Sequence, residues 1–351
     1  MVKKKRDMHP NQQFPTSLSE NCHRISRFKY PKLGFYSEKS MTIARKHQIC
    51  VEETPYYHIV SRCVRRAFLC GEDTVSGRSF EHRRKWLIDR IKFVTSIFDI
   101  DVCSYAIMSN HFHIVLRVGN TSEWPANRVL MTWQSLYSLP LLCDRYLKGE
   151  INTEAELKKV KDYVAEYRSR LMSVSWYMKA INEYVARMAN TEDKCTGHFW
   201  ESRFKSQALL DERALLTCMA YVDLNPIRAG MAKALQDSEF TSIKERIEQK
   251  STWLSGFGKA ENDLPFYLSS YIDLVDETGR CIRDDKCGYI SAKTAKAIDQ
   301  IGINPDSWID ELKGFKSIGF SAVGTAEQLK DFSEKTKRKW TLGITLKPQL
   351  E

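Results

Sequence analysis

Alternating hydrophobic and polar positions predict four strands in the first two thirds of the chain. The run YYHIVSRC at 56–63 alternates and is rich in β-forming residues, so it predicts a strand. DVCSYAIM at 101–108 and HFHIVLRV at 111–118 have the same character, and only two residues separate them, a length that favours a tight hairpin. The segment GHFWESRFKSQALL at 197–210 is predicted to begin as a turn and to end as a fourth strand.

Helical periodicity marks three further segments. Apolar residues recur at steps of four, three and four over about 81–98 and again over about 174–189, which predicts two amphipathic helices. A third helix is predicted from about 212 to 224, because Asp211 is a suitable N-cap and Pro226 should end the helix.

The order of these elements predicts the fold class. Strand, helix, strand, strand, helix, strand and helix suit an α+β domain, with an antiparallel sheet covered by helices on one face. The β-α-β-β-α-β order is that of a ferredoxin-like plan. Residues 120–172 are less patterned and contain a charged segment typical of a solvated helix, and the signals weaken after about residue 240.

Length and composition exclude several classes of protein. A chain of 351 residues with 42% hydrophobic and 28% charged residues can bury a core and has the composition of a soluble protein. No segment approaches the roughly 20 apolar residues that span a bilayer, and no apolar stretch follows the basic N-terminus as in a secretory signal. Because the ten cysteines contain no C-x-x-C pair, we expect reduced thiols, a cytoplasmic location and no membrane partner.

The charge is unevenly distributed along the chain. The net charge of +10 indicates a polyanionic partner. Residues 1–47 hold eleven basic and three acidic groups, so this segment carries most of the excess. Because residues 1–45 are also aperiodic and contain three prolines, we predict a flexible basic arm that adds nonspecific phosphate contacts.

Four residues in two predicted elements are candidates for chemistry. His111 and His113 project from one face of their strand, about 7 Å apart at Cα, and two imidazoles at that spacing can converge on a metal ion. The alternative is that they are polar residues on the solvent side of a hairpin. Tyr221 and Asn225 lie one turn apart on one helix face, where a hydroxyl can be a nucleophile and an amide oxygen a metal ligand. A tyrosine in so apolar a helix can equally be a core residue.

Four segments together carry a resemblance to a known family. In this order, YYHIVSRCVRRAFL, YAIMSNHFHIVL, GHFWESRFKSQALLDE and MAYVDLNPIRAGMA resemble the REP-associated tyrosine transposases, which belong to the single-tyrosine HUH family of DNA transposases. His111 and His113 with the phenylalanine between them match the HUH element, and Tyr221 through Gly230 match Y-x-x-x-N-P-x-R-A-G. The resemblance covers about residues 46–235. The segment 120–172 is longer than the family core requires, and 236–351 contains no motif that the family explains.

The resemblance implies a nuclease and ligase that acts on single-stranded DNA beside a hairpin. Tyr221 would attack a phosphodiester, form a 5′-phosphotyrosine bond and free a 3′-hydroxyl that can later reverse the step. A free tyrosine, with a pKa near 10, is a poor nucleophile at neutral pH. A divalent ion held by His111, His113 and Asn225 would polarise the scissile phosphate, and this ligand set suits Mg²⁺ or Mn²⁺.

Basic and aromatic side chains near these motifs are candidates for DNA contacts. Cations beside aromatic rings can hold phosphates while a base stacks on the ring. The alternative is a solvated charged face with the tryptophan in the core. The candidates are Arg62, Arg65, Arg66, Trp200, Arg203, Lys205 and Arg228.

The sequence therefore predicts a cytoplasmic DNA transposase that is nucleoid-associated when bound to DNA and is a monomer or homodimer. Its predicted parts are an arm at 1–45, a transposase domain at 46–235 and an extension at 236–351. Three alternatives stay open. A catalytically silent, sequence-specific DNA-binding regulator on the same fold would not need the full set of candidate catalytic and metal-binding residues. A phosphodiesterase would hydrolyse DNA without a covalent adduct. An RNA-binding protein would need sheet aromatics that the sequence does not show.

Overall fold

The computed structural model describes most of the chain from residue 44 onward. The described residues are 44, 47–64, 69–72, 77–260, 262–282, 289–299, 303–315, 320–339 and 341–346. Apart from residue 44, the predicted arm at 1–45 lies outside the described residues, and so do Arg65 and Arg66.

The predicted strands and helices occur in the predicted order up to residue 224, and the helices at 126–134, 141–147 and 225–228 are additional. The described strands are β1 (Tyr56–Arg62), β2 (Ile100–Ile107), β3 (His111–Val118), β4 (Lys205–Leu209), β5 (Ala322–Gly324) and β6 (Gly343–Thr345). The described helices are α1 (His82–Thr95), α2 (Ala126–Gln134), α3 (Leu141–Leu147), α4 (Glu154–Leu171), α5 (Val174–Glu192), α6 (Glu212–Asp223), α7 (Asn225–Arg228), α8 (Ser242–Ile247), α9 (Leu268–Cys281), α10 (Ala292–Asp299), α11 (Pro305–Gly314) and α12 (Ala326–Lys335). The molecule is a mixed α+β protein, as predicted.

The strands form one sheet in the order β2-β3-β1-β4-β5-β6. Neighbours among the first four strands pair antiparallel, and the register places His113 opposite Val60 and His111 opposite Arg62. β5 pairs parallel to β4, and β6 pairs parallel to β5, so the prediction of an antiparallel sheet is wrong for these last two strands. The physical reason is that a long helical connection leads from β4 to β5, and such a crossover permits parallel pairing.

Helices cover both faces of the sheet, so the prediction of helices on one face is also wrong. The side chains of Phe112, Ile114 and Leu116 pack with α1, α4 and α5 on one side, which we call the apolar face. Val115 packs with α6, α9 and α11 on the other side, which also carries His113 and which we call the histidine face. Both faces bear buried apolar groups, and each must therefore be covered.

The segment 120–172 folds onto the apolar face. α4 begins with a capping box formed by Thr153 and Glu156, and it buries Val160 and Val164, so the predicted solvated helix is amphipathic. The periodicity over 174–189 predicts a stripe of Tyr177, Ile181, Tyr184 and Met188 on α5. The buried stripe differs, because Val185 is buried while Tyr184 is 38% exposed.

The segment after residue 236 shares the core of the preceding elements. The described residues from 44 onward belong to one compact unit, in which β5 and β6 extend the sheet and α9 and α11 pack on the histidine face. The functional division at residue 235 stays a prediction. Among the described residues, no helix is both long enough and apolar enough to cross a bilayer.

Candidate active site

The helix that carries Tyr221 is buried along most of its length. Asp211 caps α6 as predicted, because its carboxylate accepts a hydrogen bond from the Ala214 N–H at 2.7 Å. Helix α6 ends at Asp223, because Pro226 cannot donate a helical hydrogen bond, and α7 begins at Asn225. Gly230 then leaves α7 with a φ of 68°, a left-handed conformation that favours glycine. The N-P-x-R-A-G motif therefore builds a tight helical turn directly after the Tyr221 helix.

Tyr221 lies against two imidazoles on the histidine face. Its ring is 9% exposed and meets the His113 ring edge to face, with 6.0 Å between centroids. The ring of His58, on β1, lies 6.2 Å away in a similar orientation. The exposed guanidinium of Arg228 lies 4.4 Å from the centre of the Tyr221 ring. The structure thus brings together Tyr221 and His113, as the sequence predicts, and adds His58.

The two histidines of the HUH element are each held through one ring nitrogen. Their ring centroids are 4.9 Å apart. Nδ1 of His111 lies 2.6 Å from the side-chain oxygen of Asn110, and Nδ1 of His113 lies 2.9 Å from Nε2 of His58. Nε2 of His113 is buried and has no hydrogen-bond partner among the described residues. In both rings Nδ1 is engaged, as is usual for imidazoles that bind metal through Nε2.

Burial keeps these imidazoles neutral. Desolvation lowers the pKa of His111 to about 4, and the nearby positive charge of Arg62 lowers it further. Desolvation also lowers the pKa of His113 well below its usual value, and the neighbouring imidazoles add to the effect. The neutral form is the one that binds metal ions, because it offers a lone pair.

Asn225 stands at the start of α7 as a candidate third ligand. It is 8% exposed, and its side-chain nitrogen is buried without a hydrogen-bond partner among the described residues. The amide can therefore turn its oxygen without breaking a hydrogen bond made through that nitrogen. Two neutral imidazoles and an amide oxygen fit a divalent cation such as Mn²⁺. The described residues contain no metal-binding group of three or more His, Cys, Asp or Glu, but only two residues of this set, both histidines, belong to those types.

The predicted DNA-contact residues fall into two groups. Arg62 pairs with His111 across the strands, and Arg62, Lys205 and Arg228 form no ion pair with any described residue, which leaves their charge available for phosphates. Trp200 is half-buried instead. Its indole N–H donates to the Asn182 carbonyl at 2.8 Å, and its ring packs on Phe112.

Arg203 is exposed and lines a cleft of about 830 Å³ between α5 and the segment before β4. Lys179 and His198 line the same cleft, and Trp200 closes one side of it. A single strand is thus offered both positive charge and an aromatic edge on this side of the molecule.

A buried polar cluster fixes the end of α6 between Tyr221 and Asn225. The carboxylate of Asp223 accepts hydrogen bonds from the Ser242 and Tyr271 hydroxyls, both at 2.5 Å. Burial raises the pKa of Asp223, and these two hydrogen bonds oppose that rise. The segment after residue 236, which the sequence left without a role, therefore holds the candidate nucleophile's helix in place.

Comparisons with known proteins add one solved structure. No protein-family model and no curated protein matches the chain. A solved structure of a REP-associated tyrosine transposase bound to a REP hairpin is similar over 65% of this chain and 99% of that chain, with 11% sequence identity and a TM-score of 0.33. At that identity and TM-score, the likeness carries no argument about what this chain does.

Sequence reasoning missed three residues of the site. His58 belongs to the run that predicted β1, and its alternation marks it as facing away from Tyr57 and Ile59, but only the strand register brings it to His113. Gln207 contacts His58 from β4. Phe315 follows α11 and packs on the Tyr221 ring with 5.0 Å between centroids, a contact that no local pattern indicates.

Proposed function

We propose that this chain is a metal-dependent nuclease and strand-transferase for single-stranded DNA, with Tyr221 as its nucleophile. The observation that carries the proposal is the contact between the Tyr221 ring and His113, a buried neutral imidazole whose Nε2 has no partner. His111, His113 and Asn225 would hold a Mg²⁺ or Mn²⁺ ion. When bound, the ion would polarise the scissile phosphate and offset its developing charge.

The chain's own cations prepare the site for a phosphate. Arg228 stands over the Tyr221 ring, and Arg62 lies beside His111, so positive charge flanks the nucleophile and the imidazoles. As the Tyr221 oxygen bonds to phosphorus, the bond from phosphorus to the 3′-oxygen breaks and a 3′-hydroxyl is released. The DNA stays attached through its 5′ phosphate, and a 3′-hydroxyl from the same or another strand can reverse the step.

The four sequence segments support a finer proposal. Their resemblance to REP-associated tyrosine transposases favours a hairpin-flanked single strand as substrate and DNA transposition as the process. The order of the four antiparallel strands, with α1 and α5 between them in the chain, supports the ferredoxin-like plan that the sequence predicts. The proposed assembly is a monomer or homodimer.

A phenylalanine substitution tests the nucleophile. Tyr221→Phe keeps the ring and its packing but deletes the attacking oxygen, so the variant should bind a hairpin-bearing single strand normally and form no adduct and no nick. The assay incubates the full chain with a pool of such strands and Mn²⁺ and separates covalent protein–DNA adducts by denaturing electrophoresis. Tyr184→Phe is the matched control, because Tyr184 is exposed on α5 and should be dispensable.

Mass spectrometry of the wild-type adduct then locates the bond. The DNA should lie on the peptide that contains Tyr221. An adduct on another tyrosine, such as Tyr184 or Tyr105, contradicts the proposal, and so does full cleavage by the Tyr221→Phe protein.

A catalytically silent DNA-binding regulator on the same fold is the second candidate function. The observation that favours it is the cover over Tyr221, since the ring is 9% exposed and Phe315 packs against it. If the protein is a regulator, the wild-type chain should bind the hairpin-bearing strand specifically but form no covalent adduct with either Mg²⁺ or Mn²⁺. The wild-type lane of the same assay therefore decides between the two functions.

A further inference from the structure

His58 is a third imidazole on the histidine face, and it links two polar side chains. It is 1% exposed, and its ring lies nearly coplanar with that of His113, with 5.1 Å between centroids and 16° between planes. Its Nδ1 lies 3.3 Å from the side-chain oxygen of Gln207, and its Nε2 lies 2.9 Å from Nδ1 of His113. Gln207 on β4, His58 on β1 and His113 on β3 thus form a line across three neighbouring strands.

The positions of the hydrogens along this line follow from the Gln207 oxygen. A neutral imidazole carries one N–H donor and one lone pair. Because an amide oxygen only accepts, Nδ1 of His58 must donate to it, and Nε2 of His58 is then a lone pair. Nδ1 of His113 faces that lone pair and must donate in turn. The lone pair of His113 is therefore on Nε2, the buried nitrogen that has no hydrogen-bond partner among the described residues.

We propose that His58 is a positioning residue: because it donates to the Gln207 oxygen through Nδ1, it accepts from His113 through Nε2. This hydrogen-bond relay fixes the His113 tautomer that can bind a metal ion. This inference rests on the proposed function, in which His113 is a ligand. A metal-binding imidazole must present a bare nitrogen, and the hydrogen bond at the other nitrogen decides which one is bare. Gln207 acts on His113 through His58.

The opposite orientation of the Gln207 amide would reverse every hydrogen bond in the line. Its NH₂ would donate to Nδ1 of His58, Nε2 of His58 would donate to His113, and Nε2 of His113 would carry a hydrogen. That hydrogen would point into the candidate metal site and exclude a cation. An acceptor at residue 207 is therefore the condition for binding.

The second ligand is arranged independently of this line. Nδ1 of His111 lies 2.6 Å from the side-chain oxygen of Asn110, which also only accepts, so the lone pair of His111 is on its Nε2 as well. The remaining ring neighbours of His58 are Tyr221 and Phe315, at 6.2 and 6.3 Å between centroids. His58 is thus enclosed by rings and by its two hydrogen-bond partners, which suits an orienting role and not contact with the substrate.

The tautomer can be read directly in the metal-free protein. Nitrogen NMR of the full chain, labelled in its histidines and treated with chelator, distinguishes Nδ1–H from Nε2–H imidazoles. His113→Ala and His58→Phe assign the two signals by their loss. We expect Nδ1–H at both positions in the wild-type protein, and an Nε2–H tautomer at His113 overturns the inference.

Manganese affinity measures the consequence without relying on catalysis. Calorimetric titration with Mn²⁺ should show affinity about 10–100-fold weaker for His58→Phe and for Gln207→Leu, the range typical of lost partners of metal ligands. His58→Gln, whose amide oxygen can accept from His113, and Gln207→Glu, an obligate acceptor, should each stay closer to wild type than the matching apolar variant. His82→Ala is the control, since His82 pairs with Glu192 away from the site and should leave affinity unchanged.

Unfolding curves of each variant distinguish loss of the hydrogen-bond relay from failure of the variant to fold. If Gln207→Leu and Gln207→Glu bind Mn²⁺ equally and both fold, the inference is overturned even if His58→Phe fails to fold. If wild type binds no Mn²⁺, the inference and the metal part of the proposed function are both overturned. If the tautomer and the affinities are as expected but Tyr221 forms no adduct, the proposed nuclease is overturned while the relay stands.

Discussion

Strand β3 contributes side chains to both faces of the sheet, and the side chains buried on the two faces differ in chemical character. On β3, Phe112 and His113 are adjacent and are 0% and 2% exposed, yet one belongs to the apolar face and the other to the histidine face. The apolar face is filled by close contact among hydrocarbon groups of α1, α4 and α5. The histidine face buries imidazoles and amides in a hydrogen-bonded line, with atoms of His113 and Asn225 left without partners.

The difference indicates that the apolar face mainly contributes stability, whereas the histidine face holds the candidate reactive groups. Burying apolar surface contributes roughly 25 cal/mol per Å², whereas a buried polar atom without a partner costs free energy. Each such atom calls for an explanation, and use by a ligand or in catalysis is one of them. The alternation of a strand thus lets one element serve both purposes with no residue shared between them.

The largest expected effect is on the free energy of unfolding, when one side chain is truncated on each face at the neighbouring positions 112 and 113. Phe112→Ala should lower the free energy of unfolding by about 3–5 kcal/mol, because it leaves a cavity against Trp200. His113→Ala should cost about 1–3 kcal/mol, for the partner that His58 loses. Urea unfolding with and without Mn²⁺ measures both changes.

Added Mn²⁺ distinguishes the pair further. It should stabilise the wild-type and Phe112→Ala proteins by mass action on the folded state, but it should leave His113→Ala unchanged. Stabilisation of His113→Ala by Mn²⁺ would show that the imidazole is not a ligand. A larger unfolding cost at His113 than at Phe112 would contradict the contrast between the faces.

Much of this contrast is visible in the sequence. Period-two alternation gave the faces of β3 and marked His111 and His113 as neighbours. The Asp211 cap and the stop at Pro226 placed Tyr221 on a helix of nearly the predicted extent. These signals succeed because they are local: each depends on residues within one element.

Features that depend on distant parts of the chain were not predicted. β5 and β6 have three residues each, too few for a periodic pattern, so the parallel strands were missed. The role of His58 requires the β1–β3 register, and the cover of Phe315 over Tyr221 requires the packing of α11 on α6. In α5 the tyrosine at 184 has the right spacing but lies outside the buried stripe.

A smaller effect is expected from acid, and it should arise on the histidine face. Burial lowers the pKa of His58 to about 4, whereas an unfolded histidine titrates near 6.5. Between these values the unfolded chain binds protons that folded His58 does not, so stability is full above pH 6.5 and falls as the pH drops toward 4. At pH 5 this loss is about 2 kcal/mol for His58 alone.

Urea unfolding of the metal-free protein at pH 7 and pH 5 checks the sign. The stability gap between wild type and His58→Phe should narrow at pH 5, because the variant lacks the titrating group. A gap that is constant or wider at pH 5 would mean that His58 is not held neutral by burial.

The smallest expected effect concerns DNA binding on the two sides of the molecule. Arg228 is exposed beside Tyr221 on the histidine face, without an ion pair among the described residues, whereas the exposed Arg187 on α5 is paired with Glu183. Arg228→Gln should therefore reduce the slope of log affinity against log salt by about one phosphate contact for a hairpin-bearing single strand, while Arg187→Gln should leave it unchanged. Fluorescence anisotropy across a salt series measures both slopes. If the slope falls equally in both variants, positive charge on either side of the molecule attracts DNA, and the result gives no support for a strand that passes Tyr221. If only Arg228→Gln changes the slope, the phosphate backbone follows the face that carries the imidazoles.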